Sequence, residues 1–157
     1  MGTPRVYVGF SSTDIKYYRL MQAWKKNKNI DFDFADCGLD GEISSEDEDY
    51  VKSVCRKKLN TSGTFIQLIG KDTKYKYKYV RWEAEVAIEK KSRIIGVNLN
   101  EARNMEDEIC PPVIKNIGAI FVPFSSAIVN YALQNYEMKT SGNYHYNDQV
   151  YKELGYD

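Results

Sequence analysis

Five short apolar runs along the chain have the composition of β-strands, because Val, Ile, Phe and Tyr dominate them. The last three runs are almost continuous in Ile, Leu, Val and Phe, which is typical of strands covered on both faces. The second run alternates Phe with Asp, which predicts a wetter strand at the edge of a sheet. The predicted strands are Arg5–Phe10, Ile30–Ala35, Thr64–Gly70, Arg93–Leu99 and Ala119–Phe124.

Between these runs, apolar residues recur with the period of amphipathic helices. The first helical segment is preceded by an N-cap candidate, Ser12 or Asp14, and the second opens with an acidic capping box at Ser45–Glu48. The predicted helices lie around Tyr17–Trp24, at Ser45–Leu59, from about Tyr79 to Lys91, and from Ser125 or Ser126 onward.

Strands and helices alternate about five times, and the connections are long enough for parallel pairing. This order predicts an α/β domain of three layers, with a flavodoxin-like fold and a central five-stranded parallel sheet. We expect one domain over residues 1–157, with a core at about 5–137. The polar extension at 138–157 is either an ordered cover or a frayed end. In such a fold the ligand crevice lies outside the carboxyl ends of the strands.

The composition narrows the class of protein. Lysine and arginine number 22, as do aspartate and glutamate, so the net charge is zero and argues against nucleic acid as a partner. No run approaches the roughly 20 apolar residues that span a bilayer, and the first residues lack the apolar stretch of a signal peptide. Three cysteines without a C-x-x-C pair argue against a disulfide framework or a zinc ribbon. We therefore expect a cytoplasmic protein with no membrane partner.

Residues at the predicted strand ends argue against several familiar sites. A phospho-receiver domain needs an aspartate after the third strand and a lysine after the fifth, where this chain has Gly70 and Pro123. No glycine-rich phosphate loop follows a strand. The single histidine, His145, lies in the polar extension. We therefore expect neither a metal nor a bound cofactor.

The helix predicted from Tyr79 carries the most informative carboxylate. Helical spacing places Glu83 one turn after Tyr79, at the border of the apolar face and beside the crevice. Arg81 and Glu85 lie on another side, where they can pair in solvent. Glu83 is a candidate for polar chemistry, and the alternative is a surface glutamate stabilised by the helix dipole.

The segment Lys71–Tyr79 interleaves four lysines with three tyrosines. Cationic and stacking groups together suit the phosphates and base of a nucleotide, or single-stranded nucleic acid. The alternative is a solvated loop whose tyrosines pack locally. The net charge of zero makes nucleic acid the weakest of these interpretations.

Three short sequence segments, in this order and with this spacing along the chain, resemble the segments of a known family. The first is Arg5–Ser11 (RVYVGFS), and the second is Phe65–Gly70 (FIQLIG). The third is Tyr79–Glu83 (YVRWE), followed by Ile88–Lys91 and Ile94–Val97. Together they resemble the TIR-like family, and specifically the ThsB-type TIR-like proteins of bacterial Thoeris anti-phage systems. The resemblance runs from Arg5 to about Phe124.

The resemblance implies a flavodoxin-like fold and an enzyme that cleaves the nicotinamide–ribose bond of NAD. The Thoeris type makes a cyclic ADP-ribose isomer as an immune signal. By the same resemblance, Glu83 is catalytic, and Tyr79 stands four residues before it, where tryptophan is more usual. Phe10 and Ser11 would line the nucleotide site. Tyr79 and Asp36, which opens the loop after the second strand, would also bind the substrate. NAD is then the substrate, and no separate cofactor is implied.

The implied chemistry needs a carboxylate beside an oxocarbenium-like ribosyl centre, because nicotinamide is already a good leaving group. With its usual pKa of about 4.3, Glu83 is expected to be ionised at neutral pH. The resemblance also implies a homo-oligomer on activation and an effector protein that senses the product. Two other functions stay open: a non-catalytic TIR-like interaction or scaffold module, and a related nucleoside N-glycosidase or deoxyribosyltransferase.

Overall fold

The computed structural model describes residues 5–27, 35–36, 47–76 and 78–156. The strands found there are β1 (Arg5–Gly9), β2 (Ala35–Asp36), β3 (Thr64–Ile69), β4 (Arg93–Asn98), β5 (Ile117–Pro123) and β6 (Gly142–Tyr144). They form one sheet in the order β2-β1-β3-β4-β5-β6, and all neighbouring pairs are parallel. The predicted five-stranded parallel sheet is confirmed, and β6 extends it by one short strand.

Helices alternate with most of the strands. They are α1 (Ile15–Lys26), α2 (Glu48–Leu59), α3 (Tyr79–Glu89), α4 (Ser126–Asn135) and α5 (Asp148–Glu153). Short 3-10 turns lie at Ser12–Asp14, Thr73–Tyr75 and Pro112–Ile114. Among the described residues, no helix has the length and apolar character needed to cross a membrane.

The start of α2 differs from the capping box predicted at Ser45–Glu48. The N-cap is Asp47, whose carboxylate accepts hydrogen bonds from the backbone N–H groups of Asp49 and Tyr50. A carboxylate at this position satisfies two of the N–H groups that the first turn leaves without helical partners. The helix therefore begins later than the sequence pattern indicated. Ser45 itself lies outside the described residues.

Two apolar layers cover the two faces of the sheet. Alternate strand residues point to opposite faces, so Val8 and Ile66 enter one layer, and Tyr7 and Phe65 enter the other. The first layer is completed by α1, α4 and α5, through Met21, Val129 and Tyr151 among others. The second is completed by α2 and α3, through Val51, Cys55, Trp82 and Ala87 among others. This arrangement gives the three layers that the alternating pattern predicted.

The polar extension at 138–157 is an ordered cover through residue 156. Strand β6 pairs with β5, and α5 buries Tyr151 in the first apolar layer. The hydroxyl of Tyr156 bonds to Ser125 Oγ and accepts from the backbone N–H of Ile128, at the start of α4. The guanidinium of Arg103 lies 4.1 Å from the Tyr151 ring centroid and adds a cation–π contact.

The second predicted strand is described only in part. Ala35 and Asp36 pair with Arg5 and Val6 as β2, whereas residues 30–34 lie outside the described residues. The edge position predicted from the Phe–Asp alternation agrees with the observed strand order, because β2 is the first strand of the sheet.

Candidate active site

A hydrogen bond joins the first strand to the third helix inside the second apolar layer. Tyr7 lies in the middle of β1, and its hydroxyl donates to Oε2 of Glu83, in the second turn of α3, at 2.5 Å. Tyr7 is fully buried, and Glu83 is only 8% exposed. A buried tyrosine hydroxyl and a buried carboxylate each need a hydrogen-bond partner, and Tyr7 and Glu83 are each other's partner.

Local sequence explains why these side chains meet. The alternation of β1 turns Tyr7 toward α2 and α3, while Val6 and Val8 turn to the opposite face. On α3, Glu83 lies between the buried residues Trp82 and Ala84. The polar pair is therefore set among apolar side chains, where a hydrogen bond is weakly screened.

Burial changes the titration of both partners. Desolvation raises the pKa of Glu83 to about 7, although the hydrogen bond from Tyr7 acts in the opposite direction. Burial and the nearby Glu83 carboxylate raise the pKa of Tyr7 far above its usual range, so its hydroxyl remains a donor. The expectation that Glu83 titrates near its ordinary value is wrong, because helical spacing does not report how deeply a border residue is buried. Burial therefore favours the protonated form of Glu83 more than it is favoured in an exposed glutamate.

Cys55 completes this cluster from α2. Its Sγ lies 3.6 Å from the Tyr7 hydroxyl, and its side chain is fully buried. Burial raises the pKa of the thiol to about 11, which keeps it neutral. Cys55 is therefore a packing residue and a weak hydrogen-bonding neighbour of Tyr7.

A second buried polar side chain lies on the same face of the sheet. Gln67 of β3 is fully buried, and its amide nitrogen donates to the carbonyl oxygens of Gly9 and Leu68, both at 3.1 Å. Its Oε1 has no hydrogen-bond partner among the described residues. A Cβ on Gly9 would lie 2.8 Å from the Phe65 ring. A larger residue than glycine would therefore clash with Phe65 at this position. The carboxyl end of β1 is thus closely packed on this face.

The other predicted site residues of β1 lie at its carboxyl end. The ring of Phe10 stacks on Tyr18 of α1, with centroids 4.7 Å apart, and packs in the first apolar layer. The Ser11 side chain is buried, and its Oγ lies 3.0 Å from Thr13 Oγ1, which in turn donates to the Asp72 carboxylate. The Phe10 ring is therefore across the sheet from the Tyr7–Glu83 pair.

A second carboxylate is packed at this end of the sheet. A Cβ built on Gly70 would lie 2.4 Å from Oδ2 of Asp14, which shows how closely the carboxylate approaches the backbone after β3. Burial, and then the neighbouring Asp72, raise the pKa of Asp14. Among the described residues, no cluster of three histidine, cysteine or acidic side chains is arranged to hold a metal ion.

Tyr79 and Asp36 complete the residues predicted from sequence. Tyr79 is the first residue of α3, is partly buried, and packs edge-on against Trp82 with ring centroids 5.6 Å apart. It lies one turn before Glu83 on the same face of the helix. Asp36 ends β2 beside Val6, but its side chain and residues 37–45 of the predicted loop lie outside the described part of the chain.

The structure brings Glu83 together with residues that the sequence did not single out. Tyr7 and Cys55 were not identified as site residues. One signal was available: Tyr7 lies between Val6 and Val8 in an apolar run, and a tyrosine hydroxyl that becomes buried requires a partner. Nothing in the sequence identified Glu83 as that partner.

The comparison with protein families gives a match that covers the first two thirds of the fold. A sequence model of the family described as "Thoeris protein ThsB, TIR-like domain" matches residues 7–104, more than half of the chain. The match contains Tyr7, Phe10, Ser11, Tyr79 and Glu83. No curated protein matches the chain significantly.

Proposed function

The chain belongs to the TIR-like domain family of the Thoeris protein ThsB, and from this premise we propose that it cleaves the nicotinamide–ribose bond of NAD. We propose Glu83 as the catalytic residue and a cyclic ADP-ribose isomer as the product. The product would act as an anti-phage immune signal inside the cytoplasm, read by an effector protein.

The Tyr7–Glu83 pair is the observation that carries this proposal. A carboxylate among apolar residues destabilises the fold when it ionises, which makes Glu83 a candidate functional residue. Glu83 is held by a donor from the neighbouring strand, and burial raises its pKa to about 7. A group with that pKa is available as a carboxylate at physiological pH.

The proposed reaction breaks the bond between the ribose carbon and the pyridinium nitrogen. The bonding electrons leave with nicotinamide, which becomes neutral, and the ribosyl carbon acquires oxocarbenium character. The ionised Glu83 stabilises this positive charge, as carboxylates do in glycoside hydrolysis. An adenine nitrogen or a ribose hydroxyl of the same molecule then attacks and releases any proton it carries, which closes the cyclic product. Attack by water instead gives ADP-ribose and a proton.

Tyr7 has a positioning role in this scheme. Its hydroxyl bonds to Oε2 of Glu83 and favours the charged form of the carboxylate. The bond also fixes one carboxylate oxygen and orients the other. Tyr79, one turn before Glu83, supplies an aromatic wall. We propose that Ser11 and Asp36 contribute to the nucleotide site at the strand ends, whereas the Phe10 ring packs against Tyr18 on the opposite face of the sheet.

Access to Glu83 must increase for catalysis, because only 8% of the residue is exposed. We propose that self-association on activation opens or completes the site, so that a dilute protein is less active than a concentrated one. The same burial favours one alternative, a non-catalytic interaction module in which Glu83 is a structural residue.

A turnover assay separates these functions. Purified protein is incubated with NAD, or with free nucleosides, at low and high protein concentration, and the products are identified by mass spectrometry. Nicotinamide release that rises more than linearly with protein concentration supports the proposal. Base release from nucleosides with NAD untouched supports an N-glycosidase. Assembly without turnover of either substrate supports the interaction module.

A further inference from the structure

Gln67 is a fully buried polar side chain on β3, a strand that is paired on both of its edges. It shares a face of the sheet with Phe65 and Ile69, which belong to the second apolar layer. Tyr7 of the neighbouring strand enters the same layer and bonds there to Glu83. Gln67 is therefore a polar group on the same side of the sheet as the proposed catalytic carboxylate.

Strand register places Gln67 on the crevice side of Tyr7. The register pairs Tyr7 with Phe65, so Gln67 lies two residues further toward the carboxyl ends of the strands. With about 3.3 Å per residue along a strand and about 4.8 Å between strands, the Cα atoms of Tyr7 and Gln67 are roughly 8 Å apart. Ligands of open α/β sheets bind outside the carboxyl ends of the strands. A substrate that enters from that edge and reaches Glu83 is therefore within reach of Gln67.

Two backbone acceptors fix the orientation of the Gln67 amide. Its Nε2 donates to the carbonyl oxygens of Gly9 and Leu68, both at 3.1 Å. Exchanging the amide nitrogen and oxygen would set an acceptor against these two acceptors, so only the observed orientation forms hydrogen bonds. The Oε1 atom therefore points away from both carbonyls, and it has no hydrogen-bond partner among the described residues.

The Oε1 atom of Gln67 has the properties of an acceptor for a ligand. A buried carbonyl oxygen without a donor loses its hydration and gains nothing in return, which destabilises the fold. An apolar side chain of similar size would fill the same position among apolar neighbours without that loss. The Gln67 oxygen therefore points to an N–H or O–H donor that arrives with the substrate.

We propose that Gln67 Oε1 accepts a hydrogen bond from the carboxamide N–H of nicotinamide and so selects and positions the leaving group. This inference rests on the proposed cleavage of NAD. Ribose hydroxyls are the other donors beside the scissile bond, and they suit Oε1 of Glu83, which takes no part in the bond from Tyr7. The carboxamide needs an acceptor on another residue, and Gln67 supplies it. Because Gln67 is fully buried, this contact requires the same opening that exposes Glu83.

The test compares NAD with its acetylpyridine analogue, in which a methyl group replaces the amide nitrogen and removes the donor without adding charge. The kcat/KM for base release is measured with both dinucleotides for the wild type, Gln67→Met and Gln134→Met. Methionine keeps the length of the side chain and removes the amide, and Gln134 is an exposed glutamine on α4 that serves as the matched control. Since each protein is measured with both dinucleotides, a loss of folded protein cancels in the ratio. Isothermal titration of Glu83→Gln and Glu83→Gln/Gln67→Met gives the same comparison without turnover.

The wild type and Gln134→Met are expected to prefer NAD by at least about tenfold, and Gln67→Met should lose most of that preference. Equal use of the two dinucleotides by the wild type would overturn the proposal without any variant, and so would an unchanged preference in Gln67→Met. If NAD is bound but not cleaved, the proposed cleavage fails and the titrations alone decide the role of Gln67. Absence of both NAD binding and NAD cleavage would overturn both proposals.

Discussion

The hydroxyl of Tyr7 and the Oε2 atom of Glu83 lie 2.5 Å apart and join the middle of β1 to the second turn of α3. Because the residues around them are apolar, this bond decides how the carboxylate titrates and where it points. It follows that changes to Tyr7 should act on catalysis through Glu83, without contact between Tyr7 and NAD.

Replacing Tyr7 with phenylalanine should shift the pH dependence of NAD cleavage. The Tyr7 bond lowers the pKa of Glu83, so its loss raises that pKa above about 7 and reduces the ionised fraction at neutral pH. The rate should fall at pH 7 and recover at higher pH. Initial rates between pH 6 and 9 measure the shift, and Tyr75→Phe, at an exposed tyrosine, is the control. An unchanged profile in Tyr7→Phe would remove Tyr7 from the mechanism.

Glu83→Gln should stabilise the protein at alkaline pH. Burial raises the folded-state pKa from 4.5 to about 7, so between these values the folded state holds a proton that the unfolded state has lost. The free energy of unfolding therefore falls as the pH rises through this window. A neutral glutamine avoids the loss, which amounts to roughly 3 kcal/mol above pH 7.

Urea unfolding at pH 4.5 and pH 8 measures this effect. The gain in stability of Glu83→Gln should appear at pH 8 and be small at pH 4.5. Glu85→Gln, on the same helix but facing Lys52 and Arg81, should show no such gain. A Glu83→Gln variant that is less stable than the wild type at pH 8 would contradict the burial of an ionisable carboxylate.

Cys55 should be inert toward thiol reagents in the folded protein. Its side chain is fully buried, and its pKa of about 11 leaves little thiolate at pH 8. Alkylation followed by peptide mass spectrometry should find Cys55 unmodified in buffer and modified in urea. Rapid labelling of Cys55 in buffer would show that the Tyr7–Glu83 region opens readily.

Gly96→Ala should destabilise the centre of the sheet. A Cβ there would lie 2.5 Å from Cδ2 of Phe121 and 3.1 Å from Cδ1 of Ile69, and both side chains are fully buried. Overpacking of this kind costs about 1–3 kcal/mol. Gly63→Ala is the matched control, because no atom lies within 4 Å of the Cβ position there. Equal melting temperatures for the two variants would contradict the packing described here.

Much of the fold could be predicted from the sequence, because burial on both faces leaves a strong pattern. The continuous apolar runs of β3, β4 and β5 identified the centre of the sheet. The short strand β6 (Gly142–Tyr144) was not predicted, since three residues of mixed polarity carry no periodicity. β6 is a strand because it pairs with β5 in the folded structure, and the sequence of β6 alone carries no signal of that pairing.

The candidate site was only partly predictable. Helical spacing identified Glu83 as a border residue, but the depth of burial depends on α2 and β1, which pack over it from other parts of the chain. Tyr7 and Glu83 are separated by 76 positions. The periodicity of the strand predicts which way Tyr7 points, and that of the helix predicts which way Glu83 points, but neither predicts that the two side chains meet. The stacking of Phe10 on Tyr18 likewise depends on how α1 packs against the sheet.

The most direct test of the account is nicotinamide release from NAD by wild type, Glu83→Gln and Glu85→Gln at the same high protein concentration. We predict turnover by the wild type and by Glu85→Gln, with a cyclic or linear ADP-ribose product. Turnover by Glu83→Gln should be lower by at least about a hundredfold, as expected when a transition-state charge loses its partner. Wild-type turnover in Glu83→Gln would contradict the claim that this buried carboxylate acts on NAD.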